Sequence, residues 1–254
     1  MNTDIEWEKW GKKDPYFAVL IDKKFRNDNI TSDIKSEFFE SGRKHISHVL
    51  QVCRDYLNPD FSPKKALDFG CGTGRLVIPL AEVADHAVGM DISDSMLKEA
   101  QKNCEEYSVK NVSLLKSDDD LSALDGRRFD FIHSYIVLQH IPVARGRRIF
   151  TNLLNHLEDS GIGVIHFTYA ETIYSENYGA SPSGIGQLFK ILKKLLRRSF
   201  LFRHLEPEMQ MNSYNVNELL FLMQKVGIRN FHVEFKDHAG ALGIFVYFMK
   251  PQKV

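Results

Sequence analysis

The chain has 254 residues, 43% of them apolar, and its 33 Lys and Arg are matched by 33 Asp and Glu, so the formal charge is zero. That length and apolar content allow one large domain or two small ones with a proper core, and they exclude collagen, disordered and peptide-scaffold classes. A balanced charge lacks the field of a dedicated nucleic-acid binder, so no nucleic-acid partner is expected. The first fifteen residues, MNTDIEWEKWGKKDP, are charged throughout and carry no signal-like apolar stretch. Trp7, Trp10, Tyr16 and Phe17 nevertheless make this extension aromatic. From Ser32 to Leu57 the apolar side chains Phe39, Ile46, Val49, Leu50, Cys53 and Leu57 recur mostly at three or four, which predicts one face of a long helix ended by Pro59 and Pro63.

From residue 65 short apolar runs alternate with helical patterns. Strands are predicted at 65–69, 86–92, 112–115, 129–134 and 163–169, with helices at 73–84, 93–107 and 142–158 between them. That rhythm predicts an α/β fold, a doubly wound, mostly parallel seven-stranded sheet of Rossmann-like type. The end differs: after a helix at 215–226 and Gly227, the runs 228–235 and 241–249 are joined too briefly for a parallel crossover, so they should form an antiparallel C-terminal hairpin. The partition is an N-terminal helical extension over 1–60 that covers the active site, and a main domain over 61–254 with an insertion at 170–207 acting as a lid. Three cysteines, Cys53, Cys71 and Cys104, form neither a disulfide framework nor paired C-x-x-C zinc spacing. The longest apolar run, 241–249, is about half a membrane span. A soluble protein in the cytoplasm is expected.

The strongest chemical signal is Ala66-Leu67-Asp68-Phe69-Gly70-Cys71-Gly72-Thr73-Gly74-Arg75-Leu76, a strand running into a glycine-rich turn and then a helix. Glycines let the backbone approach a ligand and turn helix-terminal amides toward an anionic group. A dinucleotide fingerprint would place its third glycine where Arg75 stands, which counts against NAD or FAD. Asp68, just before the turn, would repel a pyrophosphate and attract an amine, so the pocket suits a zwitterion. Asp91 closes the second strand, where a carboxylate can accept both ribose hydroxyls, and Asp118 ends the third, where it could take an adenine amino group.

These features in this order resemble the class I S-adenosylmethionine-dependent methyltransferases, from about residue 65 to the C-terminus. Asp68-Phe69-Gly70-Cys71-Gly72-Thr73-Gly74 is similar to that family's first motif, Asp91 to its ribose acid and Asp118 to its adenine-side acid. Phe129 to Pro142, FDFIHSYIVLQHIP, is similar to the segment that leads past the methionine moiety toward substrate. The resemblance implies S-adenosyl-L-methionine as cofactor, a small-molecule acceptor methylated on O or N, and no metal. The implied cofactor-binding residues are Tyr16, Asp68, Gly70, Gly72, Gly74, Arg75, Asp91, Ile92, Asp118, Asp119 and Tyr135, with His140 as the catalytic candidate. A cofactor-binding module without turnover and a nucleotide-dependent oxidoreductase are the alternatives.

Methyl transfer from a sulfonium needs alignment and, for a protonated nucleophile, a base. His140 follows the fourth strand at the expected active-site edge, either as that base or as a residue fixing the turn before Pro142. His133, inside the strand, reads as a hydrogen-bonded core residue, while His166 and Tyr169 read as packing that could face substrate. His45 and His48, three apart on a helix, read as helix surface rather than metal ligands. Residues 187–204 set Leu188, Leu192, Leu195 and Leu196 against Lys190, Lys193, Lys194 and Arg197, an amphipathic pattern that suits a lid, a cap on an acidic substrate or peripheral contact with an anionic membrane.

The chain also lacks the D/N-P-P-Y/F run of adenine N-methylation, the Pro-Cys of cytosine C5 enzymes, the glutamate pair of arginine enzymes and an acidic metal site at 133–135.

Overall fold

The structure, a computed structural model, describes residues 2–171, 206–238 and 240–252. Most of the 170–207 insertion, including all of 187–204, therefore lies outside the described residues.

The glycine and apolar pattern folds as its periodicity requires. Strands β1 (Lys65–Phe69), β2 (His86–Asp91), β3 (Val112–Lys116), β4 (Phe129–Ser134), β5 (Leu157–Glu171), β6 (Phe231–His238) and β7 (Ala241–Met249) form one sheet in the order β3-β2-β1-β4-β5-β7-β6. The first five pair in parallel, while β7 runs antiparallel between β5 and β6. After β1 the chain winds outward to β2 and β3, then returns to the other side of β1 at β4. Such a reversal opens a crevice at the carboxyl ends of the strands. Because Glu171 pairs with Ala241 and His238 also pairs with Ala241, the β6–β7 turn reaches that same edge.

The described α-helices are α1 (Thr3–Lys13), α2 (Pro15–Val19), α3 (Ser32–Tyr56), α4 (Val77–Val83), α5 (Asp94–Glu106), α6 (Val143–His156) and α7 (Val216–Lys225). Ala66 and Phe131 pack with α3 and α4 on one face, whereas Leu67 and Ile132 pack with α6 and α7 on the other, which is the alternation a doubly covered sheet demands. Thr31 caps α3 by accepting from the Ile34 N–H. Gly42 then lets α3 lie against the glycine loop, since a Cβ there would come within 2.0 Å of the Arg75 carbonyl oxygen.

Three element starts differ from expectation by three residues or more. Helix α4 starts at Val77 rather than 73 because Gly74 has a φ of +93° and the loop continues past it. Strand β5 starts directly after α6, at Leu157. Strand β6 begins at Phe231 rather than 228 because Ile228 is buried in the core beside α7, its apolar character serving packing instead of pairing.

Candidate active site

The glycine loop is held open by its second-strand neighbour. Gly70 and Gly72 have φ values of +80° and +52°, and a Cβ on Gly70 would come within 2.2 Å of Val137, on Gly72 within 2.7 Å of Val19. The Gly72 N–H donates to Asp91 Oδ2 at 2.9 Å and the Ser93 N–H to Oδ1 at 2.9 Å, so Asp91 both shapes the loop and keeps lone pairs for a ligand. Burial nevertheless pushes its carboxyl up to about 6. Asp68, 2% exposed, accepts from His133 Nδ1 at 3.1 Å through Oδ1, and its Oδ2 has no partner. Arg75 is the matching case of opposite sign. It is 5% exposed, its Nε has no partner, its Nη1 reaches only Ser41 Oγ at 3.4 Å, and burial lowers its basicity.

These groups line one cavity of about 820 Å³ along the carboxyl edge of the sheet. Asp68, Gly70, Gly72, Arg75, Asp91, Ile92, Asp118, Asp119, Tyr135 and His140 all contribute to its wall; Gly74 and Tyr16 do not. Gly74 bends the loop from behind. Tyr16 instead donates its hydroxyl toward Glu99 Oε1 and Asn103 Oδ1, both at 2.9 Å, with its ring edge-on to Phe38. The aromatic wall expected of Tyr16 is supplied by Trp7, while Ala18, Val19, Leu20 and Ile21 bring the rest of the extension to the cavity. At the β3 end Asp118 Oδ1 accepts from Asp120 N–H and Ser122 N–H, which holds its carboxyl below its ordinary value. Asp119 is fully engaged by Arg145, whose guanidinium also grips Asp4 of α1 and so ties the extension over this end.

His140 has a different setting from a free base. Its Nδ1 must donate to the Gln210 carbonyl at 2.7 Å, and its Nε2 then accepts from the Gln139 amide at 3.2 Å, whose oxygen takes the Thr168 hydroxyl at 2.6 Å. Both ring nitrogens are taken, burial pushes the imidazole down to about 4, and its ring meets Trp7 at 5.0 Å. His45 is not helix surface: its Nε2 lies 3.0 Å from His133 Nε2, so a chain His45–His133–Asp68 runs from α3 into the loop. His48 does face outward, toward Glu234. His166 is buried with neither ring nitrogen paired. Sequence reasoning missed His238, whose Nε2 lies 3.3 Å from the Tyr135 hydroxyl; its only signal was proximity to the turn at Gly240. Among the described residues no cluster could hold a metal ion, and no helix is long and apolar enough to cross a membrane.

Residues 66–161 match the family described as a methyltransferase domain. The matched stretch holds the glycine loop, Asp91 and β4, and in this part the chain is similar to a methyltransferase domain. It is 33% identical over 115 residues to a ubiquinone biosynthesis O-methyltransferase of Coxiella burnetii, covering 44% of this chain and 49% of that protein. It is 30% identical over 97 residues to the aklanonic acid methyltransferase DauC of a Streptomyces species, covering 37% and 44%. The matched region thus spans about half the length of these curated relatives. The fold is that of magnesium protoporphyrin IX methyltransferase from Synechocystis, solved with bound SAM, at a TM-score of 0.61, 14% identity and 98% coverage of both chains. The N-methyltransferase NodS of Bradyrhizobium japonicum, solved with SAH, aligns over 99% of this chain and 100% of its own at a TM-score of 0.60 and 12% identity.

Proposed function

We propose that the protein moves the methyl group of S-adenosylmethionine to an oxygen of a small molecule. The observation that carries this reading is the pair of unsatisfied opposite charges beside the glycine loop. Asp68 Oδ2 and Arg75 Nε are buried without partners, an arrangement that costs stability unless a ligand supplies both an ammonium and a carboxylate. An amino-acid tail does so. Asp91, one strand over, keeps acceptor capacity for a ribose diol, Ile92 offers an apolar surface for a base, and Asp118 stands at the far end. These residues fit S-adenosylmethionine, which supplies an electrophilic methyl on a sulfonium.

Around it the chain orients and excludes water: Trp7 and 18–21 wall the cavity, and His140 fixes the turn after β4 by holding Gln210 and Gln139. Arg75, where a dinucleotide site would want glycine, disfavours a pyrophosphate ligand only by shape, so the decisive comparison is calorimetric. S-adenosylhomocysteine should bind and NAD should not. Mass spectrometry of a cell extract incubated with protein and labelled cofactor should then identify a methylated metabolite; binding of NAD alone would overturn the reading. Similarity to a ubiquinone biosynthesis O-methyltransferase, at 33% identity, favours oxygen over nitrogen as the acceptor atom. Three free, buried cysteines support a cytoplasmic setting.

A further inference from the structure

We infer that Tyr135 and His238 form the proton-accepting pair for an acidic hydroxyl on the acceptor, a phenol or enol, at the end of the cavity away from the nucleotide. This rests on the methyltransferase reading above. Sheet order divides the cavity. Asp118, Asp91 and the glycine loop follow β3, β2 and β1, whereas Tyr135 follows β4 and His238 ends β6, at the opposite side of the sheet. A cofactor lying over β3, β2 and β1 leaves the second part for the acceptor, and Tyr135, which the family resemblance implied as a cofactor residue, is assigned to the acceptor instead.

Tyr135 is fixed there. Its ring stacks on His45 at 4.5 Å and 4°, meets His166 edge-on at 5.5 Å, and lies 4.9 Å from Phe245. The next residue, Ile136, has a φ of +58°, a conformation a β-branched side chain rarely adopts, so the backbone at this point is held by its surroundings. The Tyr135 hydroxyl faces His238 Nε2 at 3.3 Å. The other imidazoles do not serve: His140 has both nitrogens engaged, His133 joins Asp68 to His45, and His166 is not part of the cavity wall. The charged and titratable groups near His238 are Lys236 and Asp237 on its own strand and the His166 ring at 5.3 Å on β5, and the Arg75 guanidinium lies 5.8 Å from the Tyr135 ring.

The step balances. The acceptor hydroxyl gives its proton to Tyr135 Oη as the Tyr135 proton passes to His238 Nε2. The electron pair left on the acceptor oxygen forms the bond to the methyl carbon as the carbon–sulfur bond breaks, and the imidazolium returns its proton to water. An amine in its free-base form or a carboxylate brings its own electron pair and needs no such relay.

The test uses the full chain, wild type, Tyr135→Phe and His238→Gln. Calorimetry with S-adenosylhomocysteine should give one affinity for all three. No binding to wild type overturns the methyltransferase reading; loss in the variants alone assigns these residues to the cofactor and overturns only the present inference. 4-Nitrophenol is then titrated into each S-adenosylhomocysteine complex and its phenolate band read. In wild type the bound probe should be more ionised than the free probe at the same pH, an excess that falls about tenfold in both variants. Turnover of phenols of graded acidity should drop about 100-fold for the least acidic and little for 4-nitrophenol. No probe binding, equal ionisation in all three proteins, or an equal turnover loss across the series would each overturn the assignment.

Discussion

Asp91 has one duty in the fold and a second in the proposed site, and both are testable. It accepts the Gly72 and Ser93 N–H groups, and in the proposed function it receives a ribose diol. Asp91→Ala should weaken S-adenosylhomocysteine binding by about 2–3 kcal/mol, the worth of charge-assisted acceptors for two hydroxyls. Calorimetric affinity within threefold of wild type would refute the role. Its raised pKa of about 6 adds a pH dependence: ionised above that value, the carboxylate accepts from the ligand, and affinity should fall as the pH drops through 6. Arg75 gives the opposite pattern to most site residues. A buried guanidinium with so few partners destabilises the free protein, so Arg75→Met should raise Tm while lowering S-adenosylhomocysteine affinity at least tenfold. A variant that loses stability and keeps affinity would show that Arg75 serves packing alone.

At the scale of elements, the extension belongs to the site. Glu8 of α1 accepts from Ser93 Oγ, Ser95 N–H and Ser95 Oγ at the start of α5, which holds its carboxyl down at about 2. Thr3 Oγ1 donates to the His140 carbonyl at 2.9 Å, and Trp7 packs on the His140 ring. His140 is thus the joint between α1, the turn after β4 and the segment around Gln210. His140→Ala should lower Tm by several degrees, as expected for lost buried hydrogen bonds, and should speed hydrogen exchange in α1. The pH–rate profile should keep whatever limb the wild type has. A limb that vanishes in this variant would make His140 the base after all.

Across the whole molecule, buried neutral imidazoles set the acid limit. His45, His140 and His166 all have folded pKa values below the ordinary 6.5, because burial penalises their charged forms. Their contribution is complete above pH 6.5 and is lost as the pH falls toward 4, since the unfolded chain binds those protons and the folded one resists them. For His140 alone, a value of about 4 corresponds to a loss on the order of 3 kcal/mol. Asp91, raised to about 6, works in the other direction below pH 6 and offsets part of this. Tm should therefore fall steadily from pH 6.5 to 4 in scanning calorimetry; a flat profile would mean that these rings are solvated.

Local pattern sufficed for much of this protein. The strand–glycine–helix run at 66–76, the acids at 91 and 118, the alternation that makes a parallel sheet and the short link before β7 are all properties of neighbouring residues, whose chemistry does not depend on distant contacts. The strand boundaries of β1, β4 and β7 follow from the same cause. What sequence could not decide is which distant side chains meet. Tyr16 and Trp7 are equally aromatic in the sequence, but α2 brings Tyr16 to Asn103 of α5 while α1 leaves Trp7 at the cavity. His140, His45 and His238 are interchangeable as letters. Their roles diverge because Gln210 closes on the first, α3 carries the second onto His133, and antiparallel insertion of β7 beside β5 brings the third to Tyr135. Residue type sets which chemistry is available, while only the packing of elements far apart in the chain sets which nitrogen is already bonded and which remains to act.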